Sequence, residues 1–149
     1  MAQEKPIDKH ERFKQDWLTS LMKNMDDRLD ESTRMSLMES CGRDCARRGA
    51  ITLAESSKGD VEKLVQGLKK WIGDKNAVLK GNEAHLQYDK CFCELVGKGP
   101  ERFSDTWCNC SVGWVKQMFE TTAQKPVKVE LVQSIKRGAP SCKFVVNLG

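Results

Sequence analysis

The residues most able to do chemistry are the seven cysteines: Cys41, Cys45, Cys91, Cys93, Cys108, Cys110 and Cys142. Six of them fall in three close pairs. Cys41 and Cys45 are four apart, which puts them on one face of a helix. Cys91 and Cys93 are two apart, which points them the same way on a strand. Cys108 and Cys110 lie where a polar loop turns into a helix, and a thiol at a helix N-terminus is expected to have a lowered pKa. Two such pairs meeting in space supply four thiolates, a donor set that suits tetrahedral zinc or an iron–sulfur cluster. The pairs are C-x-C and C-x3-C, not the two C-x2-C knuckles of a zinc ribbon. The bland reading is that the thiols are small buried hydrophobes.

Two histidines, His10 and His85, complete the soft chemistry. His10 reads as a solvated residue near the tail. His85 shares strand parity with Cys91 and Cys93 if one strand runs through all three, so it can serve as a base or a ligand. A Cys–His hydrolase would then use Cys110 with His85, and Cys93 as the substitute nucleophile. There is no Gly-rich phosphate loop, G-x-S-x-G elbow or H-E-x-x-H. Trp107, Trp114 and Phe119 flank the cysteines and are candidate walls of a pocket for a small apolar or aromatic molecule. Aromatics at helical spacing are also ordinary core.

The elements that must position these groups follow from periodicity. Residues 1–8 read as a loose tail, and 9–149 as a single domain. Phe13, Trp17, Leu18, Leu21, Met22 and Met25 recur at helical spacing between about Asp8 and Asp27. A second helix starts after Asp30, an N-cap, carries Met35, Met38, Cys41 and Cys45 on one face, and ends near Gly49. Asp60 caps a third, with Val61, Leu64, Val65, Leu68, Trp71 and Ile72 inward and Gly73 as its stop. Ala77–Lys80 and Ala84–Val96 read as extended around a Gly81–Asn82 turn. Gly97, Gly99 and Pro100 open a polar loop, and a fourth helix runs from about Cys110 to Thr122. Alternation over Val127–Ile135 and again over Cys142–Leu148, around a Gly138–Pro140 turn, predicts a closing hairpin. The fold class is therefore α+β, with N-terminal helices packed on an antiparallel sheet, one helix between the central strands and a C-terminal β-hairpin.

Composition bounds the rest. The 149 residues fit one core, with 39% hydrophobic and 31% charged residues. The surplus of 25 Lys and Arg over 21 Asp and Glu is small. Its densest spots, Arg43/Arg47/Arg48 and Lys136/Arg137, are too short for a nucleic-acid footprint, so no nucleic-acid partner is expected. No apolar run approaches a membrane span, and Met1–His10 lacks the apolar stretch of a signal peptide. A cytoplasmic location is the expectation, where thiols stay reduced. An odd cysteine count also argues against a full disulfide framework.

One string carries a resemblance: Cys108-x4-Gly113-Trp114, then Val127 to Ile135, then Gly138-x3-Cys142-x-Phe144. Residues 108–146 resemble the vinyl-four-reductase (4-vinyl reductase) domain family of small-molecule-binding domains. By element order the likeness extends over about residues 20–149. It implies a ligand-binding, sensor-like domain that pairs into a homodimer, with a structural zinc on three cysteines and a glutamate. Cys108 and Cys142 match two of those ligand positions. The other two fall at Leu131 and Ser134, neither a good zinc ligand. Either Cys110 with Cys91 and Cys93 takes their place, or the thiols serve redox or covalent chemistry without metal. The segment Cys41-Gly42-Arg43-x-Cys45-Ala46 is similar to uncharacterised bacterial proteins grouped near amino-thiazoline-carboxylate hydrolases, which implies an enzymatic alternative. A third class is a structural adaptor without metal.

Overall fold

The computed structural model describes residues 6–97 and 102–149. The expected loop residues Gly99 and Pro100, and the first five residues of the expected tail, lie outside them. Helix α1 spans Lys9–Arg28, α2 Glu31–Gly49, α3 Ile51–Ser56 and α4 Val61–Ile72. Strands β1 (Ala77–Lys80) and β2 (Glu83–Tyr88) follow, then α5 (Asn109–Ala123), β3 (Lys128–Gln133) and β4 (Cys142–Asn147). Among the described residues no helix is long and apolar enough to cross a membrane.

The helix starts are set by aspartates. Asp8 accepts from the backbone N–H groups of His10 and Glu11, Asp30 from that of Thr33, and Asp60 from that of Lys63. Each caps orphan donors that the first turn leaves unsatisfied. Helix α4 stops at Gly73, whose φ of +103° a side chain would resist. The short α3, one residue after the end of α2 at Gly49, was not expected, because six residues are too few to show a helical period.

The four strands form one antiparallel sheet in the order β1-β2-β4-β3. The α+β class, the helix between the central strands and the closing β3–β4 hairpin are all present. Alternation on β2 and β4 sends Ala84, Leu86, Phe144 and Val146 into the core, where they meet Leu64, Val65 and Leu68 of α4 and Val115, Met118 and Phe119 of α5. Glu83, His85 and Gln87 alternate with the buried residues and so face the other side of the sheet.

Two expectations fail here. The strand read over Ala84–Val96 ends at Tyr88, because Asp89 turns out of the sheet and holds Asn76 Nδ2 at 2.7 Å and Gln87 Nε2 at 2.9 Å. The apolar face of α1 is only partly used. Met22 is buried against Met38, Val96 and Trp107, with Leu18 and Met25 beside it, but Phe13 is 69% and Trp17 57% exposed. Helix α1 lies on the molecule through one narrow line of side chains, so residues at the margin of its apolar stripe stay outside.

Candidate thiol-lined site

Helices α2 and α5 cross closely. The Cα of Gly42 lies against the Cys110 carbonyl, and that of Gly113 against the Glu39 carbonyl. A methyl group at either position would overlap backbone, so only glycine permits the approach. Arg43 donates to Glu120 at 2.9 Å and lies 3.4 Å from Glu39, which also accepts from Lys116 at 3.1 Å. These pairs hold the crossing in register. Its consequence is that Cys45, three residues after Gly42, faces the same space as Cys110, whereas Cys41 stays exposed outside it.

The segment between β2 and α5 brings Cys91, Cys93 and Cys108, and the first turn of α5 brings Cys110. After Asp89 the chain turns back, and the Gly97 N–H donates to the Cys93 carbonyl at 2.6 Å, closing the loop that carries Cys91 and Cys93. Val96 anchors this loop among Met22, Met38 and Trp107. Farther on, Asp26 of α1 accepts from Ser104 Oγ and Thr106 Oγ1, both at 2.7 Å, and Phe103 stacks edge-on against Trp107. These contacts set the approach to α5, whose N-cap is Cys108.

The result is a cavity of about 400 Å³. Six of the seven cysteines line it: Cys45, Cys91, Cys93, Cys108, Cys110 and Cys142. Aromatic rings from Trp71, Tyr88, Phe92, Trp107 and Trp114 make up most of the remaining wall, and Lys136 enters it as the charged residue. Among the described lining residues there is no histidine and no carboxylate. All seven thiols are free.

Burial governs their ionisation. Desolvation pushes the Cys110 thiol up to about 12, with further upward pressure from Cys45, Cys93, Cys41 and Cys108. Cys108 is raised by burial, partly opposed by its hydrogen bond from Ser134, and Cys142 is raised by burial, partly opposed by the Ile135 N–H. Burial likewise raises the Tyr88 phenol, with Cys142 adding to the effect. The expected low pKa at Cys110 is thus reversed, because loss of water outweighs the helix terminus.

Two sulfurs accept hydrogen bonds. Ser134 Oγ lies 3.2 Å from Cys108 Sγ, and the Ile135 N–H donates to Cys142 Sγ at 3.3 Å. Ser134 is the residue that the vinyl-four-reductase resemblance aligns with a ligand position; here its hydroxyl contacts the thiol.

The five cysteines proposed as ligands from sequence, Cys91, Cys93, Cys108, Cys110 and Cys142, therefore share one cavity with Trp107 and Trp114. Phe119 does not; it is fully buried in the main core between α5 and the sheet. His85 is also elsewhere. Its Nε2 pairs with Glu83 at 3.0 Å on the far side of the sheet, so the Cys110–His85 pair does not form. The parity argument failed because β2 ends before Cys91. As the side chains stand, no group of three or more His, Cys, Asp or Glu among the described residues is gathered tightly enough to hold a metal ion.

The profile of DUF6144, a family of unknown function, matches residues 2–148. The chain belongs to that family. The match takes in all seven cysteines and every element that positions them. No curated protein matches the chain.

Sequence reasoning missed Cys45 as a lining residue, along with Tyr88, Lys136 and the sulfur-facing donors. A signal for Cys45 was present in Gly42, a glycine inside a helix between two cysteines, where only close backbone approach repays its cost.

Proposed function

We propose that this domain is a small-molecule-binding, sensor-like module that holds a metal ion, zinc in the first instance, on thiolates drawn from Cys91, Cys93, Cys108, Cys110 and Cys142. The observation that carries the reading is the cavity wall: six thiols open on one apolar, aromatic-sided space with no histidine or carboxylate among its described residues. Soft sulfur donors in that number suit zinc or an iron–sulfur cluster. Neighbouring thiols that cannot ionise together as bare groups can do so around a cation, whose charge offsets theirs. The hydrogen bonds onto Cys108 Sγ and Cys142 Sγ are of the kind that orient metal-bound thiolates. The sulfurs would have to rotate inward to reach ~2.3 Å from one point. When bound, zinc would supply charge and a fixed tetrahedral centre.

The remaining space, with Trp107 and Trp114 in its wall, has the size and apolarity of a pocket for a small apolar or aromatic molecule. In the same reading the protein is cytoplasmic, where free thiols persist, and assembles as a homodimer. A cysteine hydrolase or redox enzyme is the less supported alternative. It needs an accessible thiolate beside a base, whereas the Cys108, Cys110 and Cys142 thiols are raised and His85 is on the other face.

Elemental analysis of protein purified without chelator or affinity tag tests this, with Cys93→Ser, Cys108→Ser, Cys110→Ser and Cys142→Ser alongside. Near-stoichiometric zinc or iron, lost in the variants, is the expected result. A folded, soluble protein that carries no metal and takes up none would overturn it.

A further inference from the structure

A second cleft lies along the start of α5. There Cys110 and Trp114 line the thiol cavity, whereas Asn109 and Val112 line a separate space of about 460 Å³ shared with α2 and β3. Met35, Val112 and Leu131 give it an apolar wall. Strand β3 is a sheet edge, so its outward backbone N–H and C=O groups have no ladder partner. Two guanidinium groups are fixed at this cleft by backbone carbonyls. Arg34 Nη1 donates to the Leu29 carbonyl at 2.6 Å, and Arg137 Nε donates to the Asp105 carbonyl at 2.8 Å. Asp26 lies 3.5 Å from Arg34 Nε but already accepts from Ser104 and Thr106. The Asp105 carboxylate turns to Arg102, at 3.8 Å, so Arg137 pairs with no carboxylate among the described residues. Asn109 is the decisive group. It is only 8% exposed and lines the cleft, yet its side-chain amide bonds to no described residue. A buried amide left so costs free energy until a partner arrives. Glu39 is engaged by Arg43 and Lys116, whereas Glu31 and Glu130 line the cleft with no ion pair among the described residues.

We infer that this cleft binds a small zwitterion, an α-amino acid with an apolar side chain, whose carboxylate is held by Arg34, Arg137 and Asn109 and whose ammonium is held by Glu31 and Glu130. A pinned guanidinium offers parallel N–H donors that match a planar carboxylate, and the Asn109 amide adds another donor beside them. Charge balance selects the ligand class. A phosphate-like polyanion meets the two unpaired glutamates, and a simple cation meets the two guanidinium groups. A molecule with one charge of each sign satisfies both sets, so the cleft discriminates by repulsion as well as attraction. Met35, Val112 and Leu131 then cover the apolar side chain. The volume lies in the range of small-ligand sites. None of these groups is a thiol, so the assignment stands apart from the metal-binding reading.

The test is isothermal titration of the reduced full-length protein with L-leucine, L-methionine and L-phenylalanine in turn, and with isocaproate and isoamylamine, which each keep one charge of leucine. Millimolar or tighter binding of at least one amino acid is expected, with both single-charge probes at least about tenfold weaker. Asn109→Asp keeps the side chain's size, breaks no internal hydrogen bond and sets a like charge against the carboxylate. Glu130→Gln removes a charge on an exposed strand position. Each should weaken the amino acid about tenfold while leaving the melting temperature of the unliganded protein unchanged. Asn109→Asp should not weaken isoamylamine. No binding of any of the three amino acids overturns the proposal, as does equal binding of either single-charge probe. Amino-acid binding that survives both substitutions unchanged puts the ligand elsewhere and overturns it too.

Discussion

One side of this molecule is filled and the other is hollow. Between α4, α5 and the sheet, Phe119, Phe144, Leu64, Leu68, Met118 and Val115 are fully buried and close-packed. Beyond the end of β2 at Tyr88, loop residues, α2, α5 and β4 line a thiol-walled cavity of about 400 Å³. The filled side draws on regular elements whose spacing decides what is inside. The hollow side draws on a loop, a helix crossing and a strand start, each fixed by a few polar contacts. Stability sits in the first region, which lets the second keep space and unspent chemistry.

That contrast is broken or sharpened by substitution. Phe119→Ala is expected to have the largest effect, lowering unfolding free energy by about 4 kcal/mol in a denaturant titration, because it empties the packed core. If it costs no more than a change in the cavity wall, the two regions do not differ as described. Gly113→Ala comes next, at about 3 kcal/mol, since its methyl group meets the Glu39 carbonyl and forces α2 from α5. It should also separate Cys41 and Cys45 from Cys110, seen as faster reaction of the Cys110 thiol with a disulfide reagent. Asp26→Ala removes the acceptor of both Ser104 and Thr106 and should cost about 1 kcal/mol. Its sharper signature is loss of amide exchange protection confined to residues 102–108. The half-exposed Trp71, on the cavity wall, gives the smallest effect: Trp71→Ala should change stability by no more than about 0.5 kcal/mol.

Ionisation separates the regions further. Burial holds the Cys110 thiol at about 12 in the folded chain, above its ordinary 9.0. The unfolded chain then binds fewer protons than the folded one at high pH, so stability falls as pH rises. For reduced, metal-free protein the contribution is complete below about pH 9 and is lost as pH climbs toward 12. Thermal unfolding at a series of pH values should show the melting temperature falling over that window, and Cys110→Ala should flatten the fall. A flat profile in the parent would mean that the cavity is wetter than its walls imply.

The helices on the filled side were legible because Asp30 and Asp60 are unambiguous caps, and because Leu64, Val65 and Leu68 repeat at helical spacing over a long run. The closing hairpin was legible from the alternation of Cys142, Phe144 and Val146. His85 misled because parity is informative only while a strand lasts, and nothing local announced that Asp89 would leave the sheet. Phe119 misled because a helix flanking a cavity also faces the core, and adjacent residues on its surface go to different places. Phe13 and Trp17 misled because periodicity reveals an apolar stripe but not how wide a surface will cover it.

The sequence by itself determined the α+β order, the ends of most helices and the existence of three close cysteine pairs, since capping, periodicity and spacing act over a few residues. Only the tertiary structure decided that Cys45 lines the same cavity as five other cysteines, and that burial raises the Cys108, Cys110 and Cys142 thiols. Those outcomes depend on backbone approach at Gly42 and Gly113 and on exclusion of water, and both are properties of segments far apart in the chain brought together by packing.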